Sequence, residues 1–397
     1  MKIDIGEFNV ANLKVLQIAS FNGNIGDNAN HNGFRRRLES TLNIKIDFTN
    51  LEMREFYQSW NLRNFNSHSF IEMCNQHDLV VIGGGNFFEL KWDYSSTGTT
   101  VNIEEKTLDQ INTPIIIHGV GCDIAKGATE ITINKFEKFL DKLTASENII
   151  VSVRNDGSYK TIRDLYGDKF DKKIHLVPDG AFFMETKQFD YPELRNGYKS
   201  IGVNIVSDMK DIRFDEKDED GVSYESFLET FSNEMNEFLS ENKDYQIILF
   251  PHIYSDYVAI NEVLSRIEDK YRRTRVVVSP LLTGEGAEEY IFGLYANCDF
   301  ILGMRFHSNV SAIAQNIPSI ALSSYKKILD VHSELNLSER IVEVNKKGFE
   351  NELKSLIEST MSNLDEIRAS YEQVNETVYN ESLPFYEDIE SLVNKIN

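Results

Sequence analysis

Eleven residues beginning at Asp299, DFILGMRFHSN, put a guanidinium and an imidazole two positions apart, just past an apolar run. Phe300, Ile301 and Leu302 read as a buried strand, Gly303 ends it, and a helix is expected over residues 308–315. In extended geometry Arg305 and His307 point the same way. Arginine offers a planar fork matched to carboxylate or phosphate. A histidine beside it titrates near neutrality, and neighbouring positive charge lowers its proton affinity, which suits a proton donor. The helix start that follows favours anions. The chemistry implied is capture of a small anion beside an acid; the competing reading is a structural histidine next to a solvated arginine.

Other chemistry-bearing residues also fall just past strand-like runs. FNGNIGDNANHNG, from Phe21 to Gly33, holds Asn22, Asn24, Asn28, Asn30 and Asn32 around Asp27. It reads either as an Asn/Gly turn with a helix cap, or as a hydrogen-bonding loop for a polyhydroxylated ligand with Asp27 as base or orienter. VVIGGGNFFE carries Gly83, Gly84 and Gly85, an anion nest or a device for close strand–helix packing. A dinucleotide fingerprint would need GxGxxG, and Phe88 and Ile124 break it in the two glycine-rich loops. Arg154, in VSVRNDGS, ends a strand-like run and is read as solvated, paired with an acid, or anion-binding. Asp179, in HLVPDGAFF, is a turn residue or a second base. Lys326 and Lys327 follow a run at 317–322 and could add positive charge.

The elements that must carry these residues are short apolar strands alternating with helix-length segments. Strands are expected over 14–20, 44–48, 79–82, 114–118 and 149–153, and again over 200–204, 246–250, 275–278, 300–302 and 317–322. This is the pattern of parallel sheets covered by helices, in which ligands bind beyond the carboxyl ends of the strands. Pro192, Asn196 and Gly197 mark a seam. The expected organisation is a first α/β domain over 1–195, a second over 196–345, and a helical segment over 346–397. The acidic run 215–220 reads as a solvated loop.

The 397 residues include 41 Lys+Arg against 63 Asp+Glu, a formal charge of −22. Such a balance argues against a broad nucleic-acid surface or docking on anionic lipid. Anionic ligands must instead meet a few cations gathered in a cleft. No apolar run reaches the ~18–20 residues of a membrane span, and the N-terminus lacks a secretory h-region. Three scattered cysteines without a CxxC fit neither a disulfide framework nor a thiolate metal site. A cytoplasmic setting is expected, and no metal, since no HxxxH spacing occurs.

Taken together, GNIGDNA, VVIGGG, SVRNDGS, VPDGAF and ANCDFILGMRFHSNVSAIAQNIPSIALSSYKK resemble the polysaccharide pyruvyl transferase family, in its order and over roughly residues 15–330. The resemblance implies two Rossmann-like domains facing across a cleft, similar to GT-B glycosyltransferases. It implies transfer of the enolpyruvyl skeleton of phosphoenolpyruvate to two sugar hydroxyls as a cyclic ketal, with no cofactor beyond that donor. On that basis Arg154, Arg305, Ser308 and Lys327 are expected on the donor and His307 as general acid. Asp27 or Asp179 is the candidate base, and Asn24, Asn28, Gly84, Gly85 and Asp179 are expected on the acceptor side. The acceptor is a saccharide on a lipid carrier, a nucleotide or a finished glycan. Phe306 stands where the family commonly has leucine, and the first loop is unusually rich in amides. Two other readings fit the same cleft: a nucleotide-sugar glycosyltransferase, and a non-catalytic sugar- or nucleotide-binding protein.

Overall fold

The structure, a computed structural model, describes residues 9–57 and 60–395. The chain divides into two compact units. One comprises the chain through Asn22, Asn30–Phe183 and everything from Thr377; the other comprises Gly23–Ala29 and Met184–Glu376.

The first unit is built on β1 (Asn9–Ala19), β2 (Ile44–Glu52), β3 (Leu79–Gly83), β5 (Ile115–Val120), β7 (Ile149–Arg154) and β8 (His175–Val177). They form one sheet in the order β2-β1-β3-β5-β7-β8, every pair parallel. Two further strands of two residues each, β4 (Phe88–Glu89) and β6 (Cys122–Asp123), pair with each other outside it. LVVIG and IIIHGV of β3 and β5 are buried throughout. That is why they read as unbroken apolar runs: a parallel sheet is covered on both faces. The core gathers Leu16, Ile18, Val80, Ile82, Ile117, Val151 and Val153 against Phe88, Phe136 and Leu140. Each such side chain contributes about 1.5–3 kcal/mol by leaving water.

The second unit repeats the plan with β9 (Lys199–Asn204), β10 (Tyr245–Leu249), β11 (Val276–Val278), β12 (Phe300–Gly303), β13 (Ser319–Ser323) and β14 (Ile341–Glu343). Its sheet, again all parallel, has the order β11-β10-β9-β12-β13-β14. Ile201, Val203, Leu249, Leu302 and Leu322 pack there against Phe227, Phe231 and Leu353. Two helices, Phe349–Ser362 and Leu364–Asn394, end the described chain. Residues 215–220 are exposed.

Strand order reverses at one place in each sheet, between β1 and β3 and between β9 and β12. At such a point the connections leave toward opposite faces and open a crevice at the carboxyl ends. Ser20 and Gly84 follow one pair of strand ends; Ile205 and Met304 follow the other.

Two local differences from the sequence reading bear on function. The first helix opens at Ile25 and runs to Leu42, so Asn28, Asn30 and Asn32 lie on it rather than in a loop. The helix after β12 opens at Phe306, two residues early, with Arg305 as its N-cap at φ −92°, ψ 152°. His307 therefore sits in a helical first turn, and the two side chains do not alternate along a strand. Cys74, Cys122 and Cys298 are buried thiols outside any disulfide. No helix among the described residues is long and apolar enough to cross a membrane, and none of their His, Cys, Asp or Glu groups is arranged to hold a metal ion.

Candidate active site

The reversal point of the second sheet carries Arg305 and His307. Asn204, the last residue of β9, ties the two central strands together: its carbonyl accepts from Met304 N at 3.1 Å, and its Oδ1 accepts from Arg305 N at 2.9 Å. Arg305 is aimed by two acids. Its Nε and Nη2 close a fork on Asp256, Nε to Oδ2 at 2.8 Å, and Nη2 also reaches Asp208 Oδ1 at 2.9 Å. Asp256 is wholly buried and also accepts from the backbone N–H groups of His252 (2.9 Å) and Ile253 (3.2 Å). Burial acts first to lower the Arg305 pKa, but the Asp256 hydrogen bond and charge outweigh it, so the guanidinium is held charged. Its Nη1 makes no hydrogen bond among the described residues.

His307 is 7% exposed and packs on the first helix's opening turn. A Cβ on Gly26 would lie 2.3 Å from its Nδ1, so only glycine admits the imidazole there. Asn24 Oδ1 caps that turn by accepting from Gly26 N at 3.0 Å, and Ile25 N donates to His252 O at 3.2 Å. Asp27 follows, half-buried, and Asn28 Nδ2 donates to Gly284 O. Ser308 is fully buried and accepts from Tyr295 OH at 3.3 Å, while His252 Nε2 stands 2.8 Å from the same hydroxyl. Since that hydroxyl donates to Ser308, His252 donates through Nε2–H. Burial, then the charges of Arg305 and His307, keep His252 neutral by pushing its pKa well down. Lys327 is half-buried in the first turn of the helix Lys326–Glu334, and Lys326 is exposed with Asp330 at 3.3 Å.

The first unit holds the remaining sequence candidates. Arg154 is 4% exposed: Nε and Nη2 bond Asp156 Oδ2 at 3.0 and 2.8 Å, and Nη1 bonds Asp179 Oδ2 at 3.1 Å. Asp179, fully buried, also accepts from Asn30 Nδ2 at 2.6 Å and Ala181 N at 2.9 Å. Arg154 is thus paired with two acids, as Arg305 is with Asp256 and Asp208. Gly84 adopts φ +76°, and a Cβ on it would come within 2.7 Å of Asn30 Oδ1. Gly84 N bonds His118 O (2.8 Å) and Gly121 N bonds Gly85 O (2.9 Å), so these glycines serve close packing of neighbouring strand ends. His118, whose ring lies tilted 30° against Phe34 with centroids 3.8 Å apart, is pushed down to about 3 by burial, against the pull of Asp179.

Thus Asn24, Asp27, Asn28, Arg305, His307, Ser308 and Lys327 belong to the second unit, and Gly84, Gly85, Arg154 and Asp179 to the first. Sequence reasoning passed over Asp208, Arg213, His252, Asp256 and Tyr295. His252 alone had a signal, its place at the end of the apolar run QIILF.

The same two-sheet fold occurs in solved enzymes at low identity. The Staphylococcus aureus MnaA–UDP co-structure aligns with TM-score 0.53 at 12% identity, covering 92% of this chain and 91% of that one. A Listeria monocytogenes protein described as a UDP-N-acetylglucosamine 2-epimerase gives 0.52 at 10%, covering 92% and 91%. A Rickettsia africae glycosyltransferase gives 0.52 at 12%, covering 97% and 98%. These likenesses show a GT-B-like α/β fold. A search of curated proteins found no match. The sequence model for polysaccharide pyruvyl transferase matches residues 24–325, a span that begins at the Asn24 cap and closes just after β13, and the chain belongs to that family.

Proposed function

We propose that the protein transfers the enolpyruvyl skeleton of phosphoenolpyruvate to two hydroxyls of a saccharide, forming a cyclic ketal. The observation that carries this reading is the pairing of Arg305, charged and held by Asp256, with His307 in the helical turn that Arg305 caps, at the reversal point of the second sheet. Phosphoenolpyruvate carries a carboxylate and a phosphate on three carbons, so one fixed guanidinium both binds and orients it. His307 gives its proton to the methylene carbon, and positive charge develops at C2. A sugar hydroxyl adds there and loses its proton to a base, for which Asp27, beside the glycine that packs on the imidazole, is the candidate. The C2–phosphate bond then breaks and the second hydroxyl closes the ring. Of the two hydroxyl protons, one replaces that given by His307 and the other leaves with phosphate. General acid catalysis of this kind is worth ~10²–10⁴ in rate.

Ser308 and Lys327 are proposed as donor-side partners, and Asn24 and Asn28 as acceptor-side groups. Gly84, Gly85, Arg154 and Asp179 are proposed to shape the first unit's strand ends rather than to touch the reacting atoms. The acceptor is a saccharide, in polysaccharide biosynthesis.

The test is mass spectrometry of candidate saccharides, free, lipid-linked and nucleotide-linked, incubated with protein and phosphoenolpyruvate. The expected product gains one pyruvate less one water, and His307→Ala abolishes the gain while the protein stays folded. Consumption of a nucleotide sugar with no pyruvylated product would replace this reading with glycosyl transfer, and full activity in His307→Ala would remove the acid assignment.

A further inference from the structure

A second guanidinium reaches the same strand ends from a segment with no sequence motif. Beyond β9 the chain folds back at Met209, which takes φ +54°, ψ 38°. A non-glycine residue in this left-handed region costs roughly 1–2 kcal/mol, and such strain concentrates at functional sites. Ile212 N and Arg213 N both bond Met209 O, at 2.9 and 3.0 Å, so the left-handed residue starts the turn that delivers Arg213. Arg213 Nε donates to Asp208 O at 3.1 Å and Nη1 to Ser324 Oγ, past the end of β13, at 3.3 Å. Its Nη2 stands 3.8 Å from Asp208 Oδ2, too far for a hydrogen bond.

Asp208 therefore lies between two arginines, with Arg305 Nη2 on its other oxygen at 2.9 Å. The two acids of the cluster differ in how they are held. Asp256 has no exposed side-chain surface and is anchored by backbone amides as well as Arg305. The Asp208 side chain is 28% exposed, and its carboxylate is met only by the two arginines among the described residues. The arginine side chains are 7% and 14% exposed. Two guanidinium groups this close and this buried need an anion between them. Here it comes from the one acid on a half-exposed loop.

We propose that Asp208 is an internal substitute for a phosphoryl group. Its carboxylate occupies the anion position between Arg213 and Arg305 in the ligand-free protein, and the phosphate of the incoming donor displaces it, with Arg213 as second guanidinium of the site. Arg305 Nη1 and Arg213 Nη2, which make no hydrogen bond among the described residues, supply N–H donors for the extra oxygens that a phosphoryl group has and a carboxylate lacks. The identity of the donor rests on the pyruvyl-transfer reading; the exchange of one anion for another does not.

Titration calorimetry of the full chain with inorganic phosphate, and separately with phosphoenolpyruvate, tests this. Asp208→Asn removes a competing unit charge and is expected to bind phosphate at least ~10-fold more tightly than the parent. Arg213→Gln is expected to lose ~10-fold or more, Arg213→Lys to recover part of that, and Asp208→Asn/Arg213→Gln to lose the gain. Unchanged or weaker phosphate binding in Asp208→Asn overturns the proposal, whatever phosphoenolpyruvate does. Tighter phosphate binding without any phosphoenolpyruvate binding upholds the exchange and sinks the pyruvyl reading. Should the parent bind neither ligand, appearance of phosphate binding in Asp208→Asn supports the exchange and its absence refutes it.

Discussion

Gly26→Ala isolates the link between the first helix and His307, the proposed acid. Gly26 lies within the helix Ile25–Leu42, where alanine is the better helix former by about 1 kcal/mol. The added Cβ would sit 2.3 Å from His307 Nδ1, against 3.4–4 Å for ordinary contact. The imidazole or the helix start must therefore shift by about 1 Å, and a displacement of that size costs ~10²-fold when it misaligns a reacting group. Overpacking costs ~1–3 kcal/mol and is offset in part by the helix gain, so the protein is expected to stay folded. The assay is the turnover of pyruvyl transfer at saturating phosphoenolpyruvate, with donor affinity by calorimetry and a urea melt alongside. Turnover is expected to fall ~10²-fold with donor affinity changed less than the turnover. A folded Gly26→Ala protein with turnover within about twofold of the parent would show that proton transfer does not depend on this packing, and the catalytic role of His307 would go with it.

Arg305→Lys cannot reproduce the fork on Asp256, and donor affinity should drop ~10-fold or more by calorimetry; an unchanged value would deny Arg305 the donor. Asp256→Ala leaves a mostly buried Arg305 without its main counter-ion and should cost ~3–5 kcal/mol in urea unfolding. A loss below about 1 kcal/mol would mean Asp256 is not the anchor. Burial pushes His118 down from 6.5 to about 3 and His332 to about 4. The unfolded chain takes up these protons first, so the stability they contribute is complete above ~6.5 and is lost as pH falls toward ~3–4. At pH 5 the loss is about 2 kcal/mol each, and His118→Phe should shrink the pH 7-to-5 difference in urea stability by that amount. An undiminished difference would show that His118 is not a buried neutral group.

Both sheets were legible because their central strands are buried on two faces, and two of them, β3 and β12, end in glycine, as in VVIGGG and FILG. The edge strands β8 and β14, three residues each with exposed Leu176 and Glu343, carry no such run and escaped. The two-residue strands β4 and β6 are defined by their pairing alone. The Asn-rich segment misled because Asn and Gly are poor helix formers; contacts such as Asn30 to Asp179, 149 residues away, override propensity there. Arg305 and His307 were visible as a pair, but their helical setting was not, since the Arg305 cap has no side-chain hydrogen bond to announce it. The acids that aim Arg305 lie 49 and 97 residues away, and nothing local to DMKDIRF marks Arg213.

Asp256 has a practical consequence for anyone reshaping this enzyme. Tyr254 and Tyr257, 79% and 43% exposed, flank it on one short stretch and invite surface redesign. Yet the amides of His252 and Ile253 that steady Asp256 belong to the same stretch, so a loop transplant would also disturb Arg305. Point changes at the two tyrosines leave that anchor intact, whereas wholesale replacement of the segment would have to bring its own aspartate in the same register.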